Sequence, residues 1–249
     1  MTATLIEPAH AGRTAATRVL MLPAAYAAPA DFVQHGFVRA VRERSLEVDL
    51  VFAGFQLQEV SDRSLFGRLR EEVLLPARAL GCAVWMGGIS LGGYLALDYA
   101  ERYPRELAGL CLLAPYLGSH LVTSEIERAN GLESWRPEQF PEDDDERRVW
   151  RFICTLRAGS LPVHLGLGRE DRFGRRHSLM AAALARKVSM WCRAATTGPP
   201  GARSGTDFSM CGSCQRRRPV TARAEESHPL AVSACSRQNF AHASASVAT

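Results

Sequence analysis

Long apolar runs are absent from this chain of 249 residues. No run approaches the roughly 18 consecutive apolar residues of a membrane-spanning helix, so no membrane partner is expected. The first 22 residues also lack the basic start, apolar core and cleavage site of a secretion signal, which predicts a cytoplasmic protein. Because 47% of the residues are apolar, most of the chain is predicted to be globular.

Lysine is almost absent, with Lys187 as the single example against 29 arginines. Residues 1–186 carry 22 arginines and 23 acidic residues, a net charge of −1. Residues 187–249 carry eight basic and three acidic residues, a net charge of +5. The basic excess therefore belongs to the C-terminal segment. Its run QRRRP has no aromatic neighbours, so no nucleic-acid partner is expected.

Cysteine patterns that hold metals are scarce. The sequence CGSC at 211–214 has a metal-like or redox-like spacing, but no second pair completes a zinc site and no strand-to-helix context favours redox work. The cysteines before residue 187 lie in apolar or helical stretches, where a free cysteine behaves as a small hydrophobic residue. No metal site is predicted.

Apolar runs of strand length alternate with amphipathic runs of helix length through most of the chain. This alternation predicts an α/β fold with a mainly parallel sheet and helices on both of its faces. The predicted strands are residues 18–23, 46–52, 83–88, 107–115 and 162–168. The predicted helices are residues 31–44 with Asp31 as the cap, 64–80 with a kink at Pro76, and 90–104.

Three further segments complete the predicted organisation. Residues 1–17 are expected to form a flexible leader ahead of a core at 18–186. The alternation loosens near 116–150, which predicts a small cap-like insertion, although the acidic run EDDDE alone also fits a solvated loop. Residues 187–249 are rich in Ser, Ala, Thr, Arg and Gly without a sustained period, which predicts an irregular, disordered tail.

The sequence GISLGG presents a serine, Ser90, between a predicted strand and a predicted helix. In this G-x-S-x-G context the chain turns so sharply that side chains at Gly88 and Gly92 would collide, and the serine hydroxyl projects above the carboxyl edge of the sheet. Ser90 is therefore predicted to be a nucleophile. The alternative is a serine that only caps the helix.

With this motif, residues 18–186 resemble the α/β-hydrolase family of serine esterases and thioesterases. The resemblance implies an oxyanion hole made by the backbone N–H of Leu91 and by that of Ala24 or Ala25 in the loop LPAAYAAP. It also implies a small-molecule ester or thioester as the substrate and no cofactor.

The resemblance further implies the order serine, acid, histidine along the chain. The sequence PVHLGLGREDRFG matches the loop that carries the acid, with Asp171 as the better match and Glu170 as the alternative. The alternative for Asp171 is an ion pair with Arg169 or Arg172. A histidine base should then follow the last strand.

The expected histidine is missing from that place. His177 lies only six residues after Asp171 with no strand between them, while His228 and His242 lie in the irregular tail. None of the three follows an apolar strand. The last strand of the sheet and the helix after it are therefore predicted to be missing, although any of these histidines could replace the base.

The genetic code offers an explanation for the missing parts. When the codons that can encode VSMWCRAATTGPPGARSG at 188–205 are shifted back by one base, they permit the reading V-V-P-G-G-H-D-W-P-x-W-R-x-L-W. This reading contains an apolar strand, a Gly-Gly-His turn and a helix start. The hypothesis is a frameshift near Lys187.

Two functions are predicted for the chain. The first is a serine hydrolase that acts through an acyl-enzyme on Ser90. The alternative is a catalytically impaired remnant or a non-catalytic binding protein that lacks the triad histidine.

Overall fold

The computed structural model of the protein describes residues 3–137, 139–156, 161–168, 174–184 and 189–192. Their strands form one sheet in the order β1-β3-β2-β4-β5-β6-β7. Strand β1 runs antiparallel to β3, and every other neighbouring pair is parallel. The strands are β1 Thr4–Glu7, β2 Thr17–Leu22, β3 Val48–Ala53, β4 Ala83–Ile89, β5 Gly109–Leu113, β6 Val163–Gly168 and β7 Ser189–Cys192.

Helices pack on both faces of this sheet, which confirms the predicted α/β fold. They are α1 Pro29–Gln34, α2 Phe37–Arg42, α3 Leu57–Ser61, α4 Ser64–Leu69, α5 Leu75–Ala79, α6 Leu91–Arg102, α7 His120–Arg128, α8 Asp145–Leu156 and α9 Gly174–Ala183. A π-helical turn, Arg70–Leu74, joins α4 to α5.

The core follows from the alternation of side chains along buried strands. In β2, Leu20 and Leu22 belong to one apolar cluster, while Val19 and Met21 belong to a second cluster on the opposite face. All four are buried, as expected for a parallel strand covered by helices on both sides. Each such side chain contributes about 1.5–3 kcal/mol when it is fully buried.

Two predicted helices are interrupted, each for a local reason. The helix predicted over 31–44 is two helices, because Gly36 between them has φ +80°, a left-handed conformation that ends α1. Helix α1 begins at Pro29 rather than after Asp31, whose carboxylate accepts the N–H of Ala28 at 2.9 Å. The kink predicted at Pro76 corresponds to the π-helical turn just before α5, since proline has no N–H for the helical ladder.

The N-terminal segment is more ordered than the predicted leader at 1–17. Residues 4–7 form β1 against β3, and the N–H of Gly54 donates to the carbonyl of Ala3 at 2.9 Å. The buried carboxylate of Asp49 accepts the N–H groups of Ala9 at 2.9 Å and Ala15 at 3.2 Å. The prediction of a flexible leader is wrong for these residues, because backbone pairing and a buried carboxylate fasten them to β3.

The C-terminal edge of the sheet also differs from the expectation of a missing last strand. Ser189–Cys192 forms β7, which pairs parallel with β6 from Leu165 to Gly168. This strand lies in the segment 187–249 that composition predicted to be irregular. Strand pairing uses backbone groups, so four residues without a periodic pattern can still satisfy an open sheet edge.

The insertion near 116–150 contains α7 and leads into α8, which packs on α6. Arg148 of α8 forms ion pairs with Asp98 and Glu101 of α6, and its Nη1 lies 2.7 Å from Asp145. Burial disfavours the charge of Arg148, but the carboxylates of Asp98 and Asp145 outweigh burial and raise its pKa. At the other end of the insertion, Glu146 accepts the N–H of Ser119 at 2.8 Å. These contacts fix the insertion to the helix that follows Ser90.

Candidate active site at the carboxyl edge of the sheet

A single residue, Ser90, connects β4 to α6. Its backbone has φ +50° and ψ −115°, which residues other than glycine rarely adopt. A serine that caps a helix has an extended backbone and its side chain accepts a helix N–H, but Ser90 has neither feature. The geometry is therefore that of a strand-to-helix elbow, and the capping alternative does not fit it.

Two glycines permit this turn. A Cβ added to Gly88 would lie 2.4 Å from the carbonyl carbon of Gly92. A Cβ added to Gly92 would lie 2.2 Å from the carbonyl oxygen of Leu22 and 2.5 Å from that of Pro23. Neither position has space for a side chain. This agrees with the collision that the motif predicts for side chains at these two positions.

Backbone hydrogen bonds hold the strained serine from two sides. The N–H of Ser90 donates to the carbonyl of Leu113 at 3.1 Å. The carbonyl of Ser90 accepts the N–H of Tyr94 in α6 at 3.1 Å and the N–H of Tyr116 at 2.9 Å. Sequence reasoning did not identify Leu113 and Tyr116 as part of the site. Their position at the end of β5, beside the end of β4, was the available signal.

The N–H groups proposed for the oxyanion hole lie close to this turn. Leu91 is the first residue of α6, whose opening N–H groups have no partner within the helix. Ala24 and Ala25 directly follow Leu22 and Pro23, whose carbonyl oxygens abut Gly92. In the described part of the chain, these three N–H groups donate to no acceptor. Their role as donors to an oxyanion stays a prediction.

The loop that contains these alanines has a defined conformation. The N–H of Ala27 donates to the carbonyl of Ala24 at 3.1 Å, which closes a turn. Within it, Tyr26 has φ +64° and is 80% exposed, whereas Ala24 and Ala25 are buried. The loop therefore keeps its backbone against the elbow and projects an aromatic ring outward.

The structure places one of the three candidate histidines near the elbow. His177 lies in α9, is 1% exposed, and donates from Nε2 to the carbonyl of Pro115 at 3.0 Å. Among the described residues, no hydrogen bond joins a histidine to Ser90. His228 and His242 lie outside the described residues.

The predicted acids also lie outside the described residues, both Asp171 and its alternative Glu170. The strand that precedes them is described. Leu113 at the end of β5 pairs with Gly166 of β6, so the carboxyl end of β6 lies at the same edge of the sheet as Ser90. An acid that follows β6 by a few residues therefore starts from the correct edge.

Two tyrosines flank the elbow on the side of the insertion. The rings of Tyr94 and Tyr116 meet edge to face, with centroids 5.8 Å apart. Burial raises the pKa of Tyr94, and the negative charge of Asp98 raises it further. The Tyr94 hydroxyl therefore stays protonated at neutral pH and offers a hydrogen-bond donor rather than a base.

Other chemical features of the described residues lie apart from Ser90. A surface pair on α7 joins the hydroxyl of Ser124 to His120, without a strained backbone. A cavity of about 1070 Å³ lies between residues 132–142 and α8, and Ser90 does not line it. The described residues contain no group of three or more His, Cys, Asp or Glu that could hold a metal ion. None of their helices combines the length and apolar character needed to cross a membrane.

No family model and no curated protein sequence matches the chain. Among solved structures, an α/β hydrolase from the sediment metagenome of the Mar Chica lagoon in Morocco is 15% identical, with a TM-score of 0.50 over 77% of this chain and 84% of that one. Est1E from Butyrivibrio proteoclasticus is 13% identical, with a TM-score of 0.49 over 76% and 82%. S-formylglutathione hydrolase from Staphylococcus aureus is 10% identical, with a TM-score of 0.48 over 77% and 86%. The chain has the α/β-hydrolase fold.

Proposed function

We propose that this chain, an α/β hydrolase by fold, is a serine hydrolase of small carboxylic esters or thioesters that acts through an acyl-enzyme on Ser90. The observation that supports the proposal most is the backbone of Ser90, at φ +50° between β4 and α6. A strained residue persists only where the surrounding structure holds it, and such residues cluster at functional sites. The glycines at 88 and 92 are required where β4, α6 and the end of β2 approach one another around Ser90.

The chemistry proceeds in two balanced halves. The Ser90 hydroxyl oxygen attacks the acyl carbon, its proton passes to a base, and the carbonyl oxygen becomes an oxyanion. The N–H groups of Leu91 and of Ala24 or Ala25 bind that oxyanion. The C–O or C–S bond then breaks, and the leaving alcohol or thiol takes the proton from the base. Water attacks the resulting acyl-serine in the same way and releases the acid.

The first half also needs a base and an orienting acid. Asp171 is the proposed acid, with Glu170 as the alternative. The base is an imidazole, supplied either by one of the three candidate histidines or, under the frameshift hypothesis, by the Gly-Gly-His turn of the shifted reading. An imidazole without an orienting carboxylate is a much weaker base, with a loss on the order of 10⁴-fold in rate.

A second function, an impaired remnant or non-catalytic binding protein, is favoured by the direction of His177. Its Nε2 is engaged by Pro115 rather than by Ser90. A chain that retains the elbow and the oxyanion donors but no base could bind an ester or a carboxylic acid without turning it over.

A fluorophosphonate probe tests the proposed function, because it labels only a serine with raised nucleophilicity. We expect labelling of the full chain and its loss in Ser90→Ala. The matched control is Ser124→Ala, which removes a serine that also contacts a histidine but lies on a regular helix. Labelling that survives Ser90→Ala, or that disappears in Ser124→Ala, would refute the assignment. A full chain that does not label at all would favour the non-catalytic alternative.

A further inference from the structure

The contact between His177 and Pro115 joins elements that are 62 residues apart in the sequence. His177 is 1% exposed, so its ring is almost completely removed from water. Its Nε2 donates to the carbonyl oxygen of Pro115, at 3.0 Å. A buried carbonyl that loses its donor is left without a hydrogen bond and without water, so this contact stabilises the local backbone.

Pro115 lies within the short segment that holds Ser90. The residue before it, Ala114, has φ +40° and donates its N–H to the carbonyl of Gly166 at 2.8 Å. The residue after it, Tyr116, donates its N–H to the carbonyl of Ser90 at 2.9 Å. Residues 114–116 therefore form a strained turn whose position sets one of the hydrogen bonds on the elbow.

The turn also packs tightly on the first turn of α6. A Cβ added to Gly93 would lie 3.0 Å from the Cβ of Pro115, a separation that leaves no room between the two. Pro115 therefore occupies the space that a side chain at Gly93 would need, and the two residues pack closely. The hydrogen bond from His177 adds a second restraint on the position of Pro115.

We infer that His177 is a positioning residue for Ser90, which it holds through Pro115 and Tyr116, and that it is not the base of the reaction. The inference rests on the proposed function of Ser90. It assigns to α9 the task of holding the turn after β5 against the elbow. A base must accept a proton, whereas this role requires only a side chain that donates a hydrogen bond to the Pro115 carbonyl.

That difference can be measured with two substitutions. His177→Gln keeps an N–H donor near the position of Nε2 but cannot act as a base. His177→Phe keeps the ring volume and removes the donor. We expect His177→Phe to slow fluorophosphonate labelling of Ser90 by about 10- to 100-fold, as small displacements of reacting groups do. We expect His177→Gln to restore most of the parent rate.

Amide hydrogen exchange supplies a readout that does not depend on activity. We expect faster exchange at Tyr116 in His177→Phe and parent-like exchange in His177→Gln. The control is His164→Phe. His164 lies in β6, is half-buried and stacks on Trp85 of β4. This variant should change neither labelling nor exchange at Tyr116.

The outcomes separate the two hypotheses. Equal losses of labelling in the Gln and Phe variants would identify His177 as the base and overturn the inference. Parent-like exchange at Tyr116 in His177→Phe would overturn it as well. If the parent chain does not label, the proposed function fails, and exchange at Tyr116 alone decides whether His177 positions the elbow.

Discussion

Gly88 and Gly92 lie so close together that a Cβ on Gly88 would be 2.4 Å from the carbonyl carbon of Gly92. The contact spans the elbow, with one glycine in β4 and the other in the first turn of α6. It shows that the strand and the helix approach too closely for a side chain at Gly88. The orientation of Ser90 between them depends on both glycines.

Replacement of Gly92 by alanine should therefore destabilise the fold. The new Cβ would lie 2.2 Å from the carbonyl oxygen of Leu22, a backbone atom that cannot move without shifting β2. We expect a loss of about 1–3 kcal/mol or more in the free energy of unfolding, measured by urea denaturation. The control is Gly67→Ala in α4, where an added Cβ has no neighbour within 4 Å. That variant should be as stable as the parent or gain up to about 1 kcal/mol, since alanine favours helix. A parent-like Gly92→Ala would show that the elbow is looser than described.

The lowered pKa of Glu106 predicts how the free energy of unfolding depends on pH. Burial disfavours its charge, but hydrogen bonds from Tyr99 and Arg70 outweigh burial and lower its pKa below the ordinary 4.5. A carboxyl with a lowered pKa in the folded state stabilises the fold above its unfolded pKa, and the contribution is lost as the pH falls through the folded value.

Glu106→Gln should thus be less stable than the parent at pH 7, and the difference should shrink as the pH falls below the ordinary pKa of 4.5 and through the lower folded value. Urea unfolding over a pH series measures this. Glu43→Gln is the control, because Glu43 is exposed and lies 3.8 Å from Arg39 in a surface pair, which contributes little. A difference between parent and Glu106→Gln that does not change with pH would contradict the assigned ion pair.

Much of the site was predictable because its signals are local. The motif GISLGG, an apolar run before it and an amphipathic run after it fall within about twenty residues, and the structure has a strand, a turn and a helix there. The break at Pro76 was predictable for the same reason. The break between α1 and α2 at Gly36 was harder to predict. A glycine within a helical pattern does not always end the helix, and the packing of the following segment decides whether it does.

The remaining features depend on partners that are distant in sequence. Strands β1 and β7 have four residues each, and what orders them is an open backbone edge of a neighbouring strand. The hydrogen bond from His177 to Pro115 crosses between two elements that no periodicity relates. Asp171 stays a prediction because it lies outside the described residues, and the identity of the base stays a prediction as well.

Restoration of the shifted reading near Lys187 tests the frameshift hypothesis and the identity of the acid together. The restored chain should hydrolyse a simple ester far faster than the parent, since it gains an imidazole. Within the restored chain, Asp171→Asn should lower kcat/KM on the order of 10⁴-fold, because the carboxylate that orients the ring is lost. Glu170→Gln is the matched control and should have little effect.

In the unrestored parent, the frameshift hypothesis leaves Asp171 no imidazole to orient, so it predicts that Asp171→Asn changes the rate little. A large loss there would instead point to a histidine already in place, such as His228 or His242. A loss confined to Glu170→Gln in the restored chain would transfer the acid role to Glu170.

The most direct measurement of the proposed chemistry is the mass of the protein after brief exposure to p-nitrophenyl acetate, followed by mapping of the modified peptide. If Ser90 is the nucleophile, the parent chain gains one acetyl group, the group maps to Ser90, and Ser90→Ala gains none there. An acetyl group found on another side chain while Ser90 stays unmodified would show that the elbow does not carry the reaction.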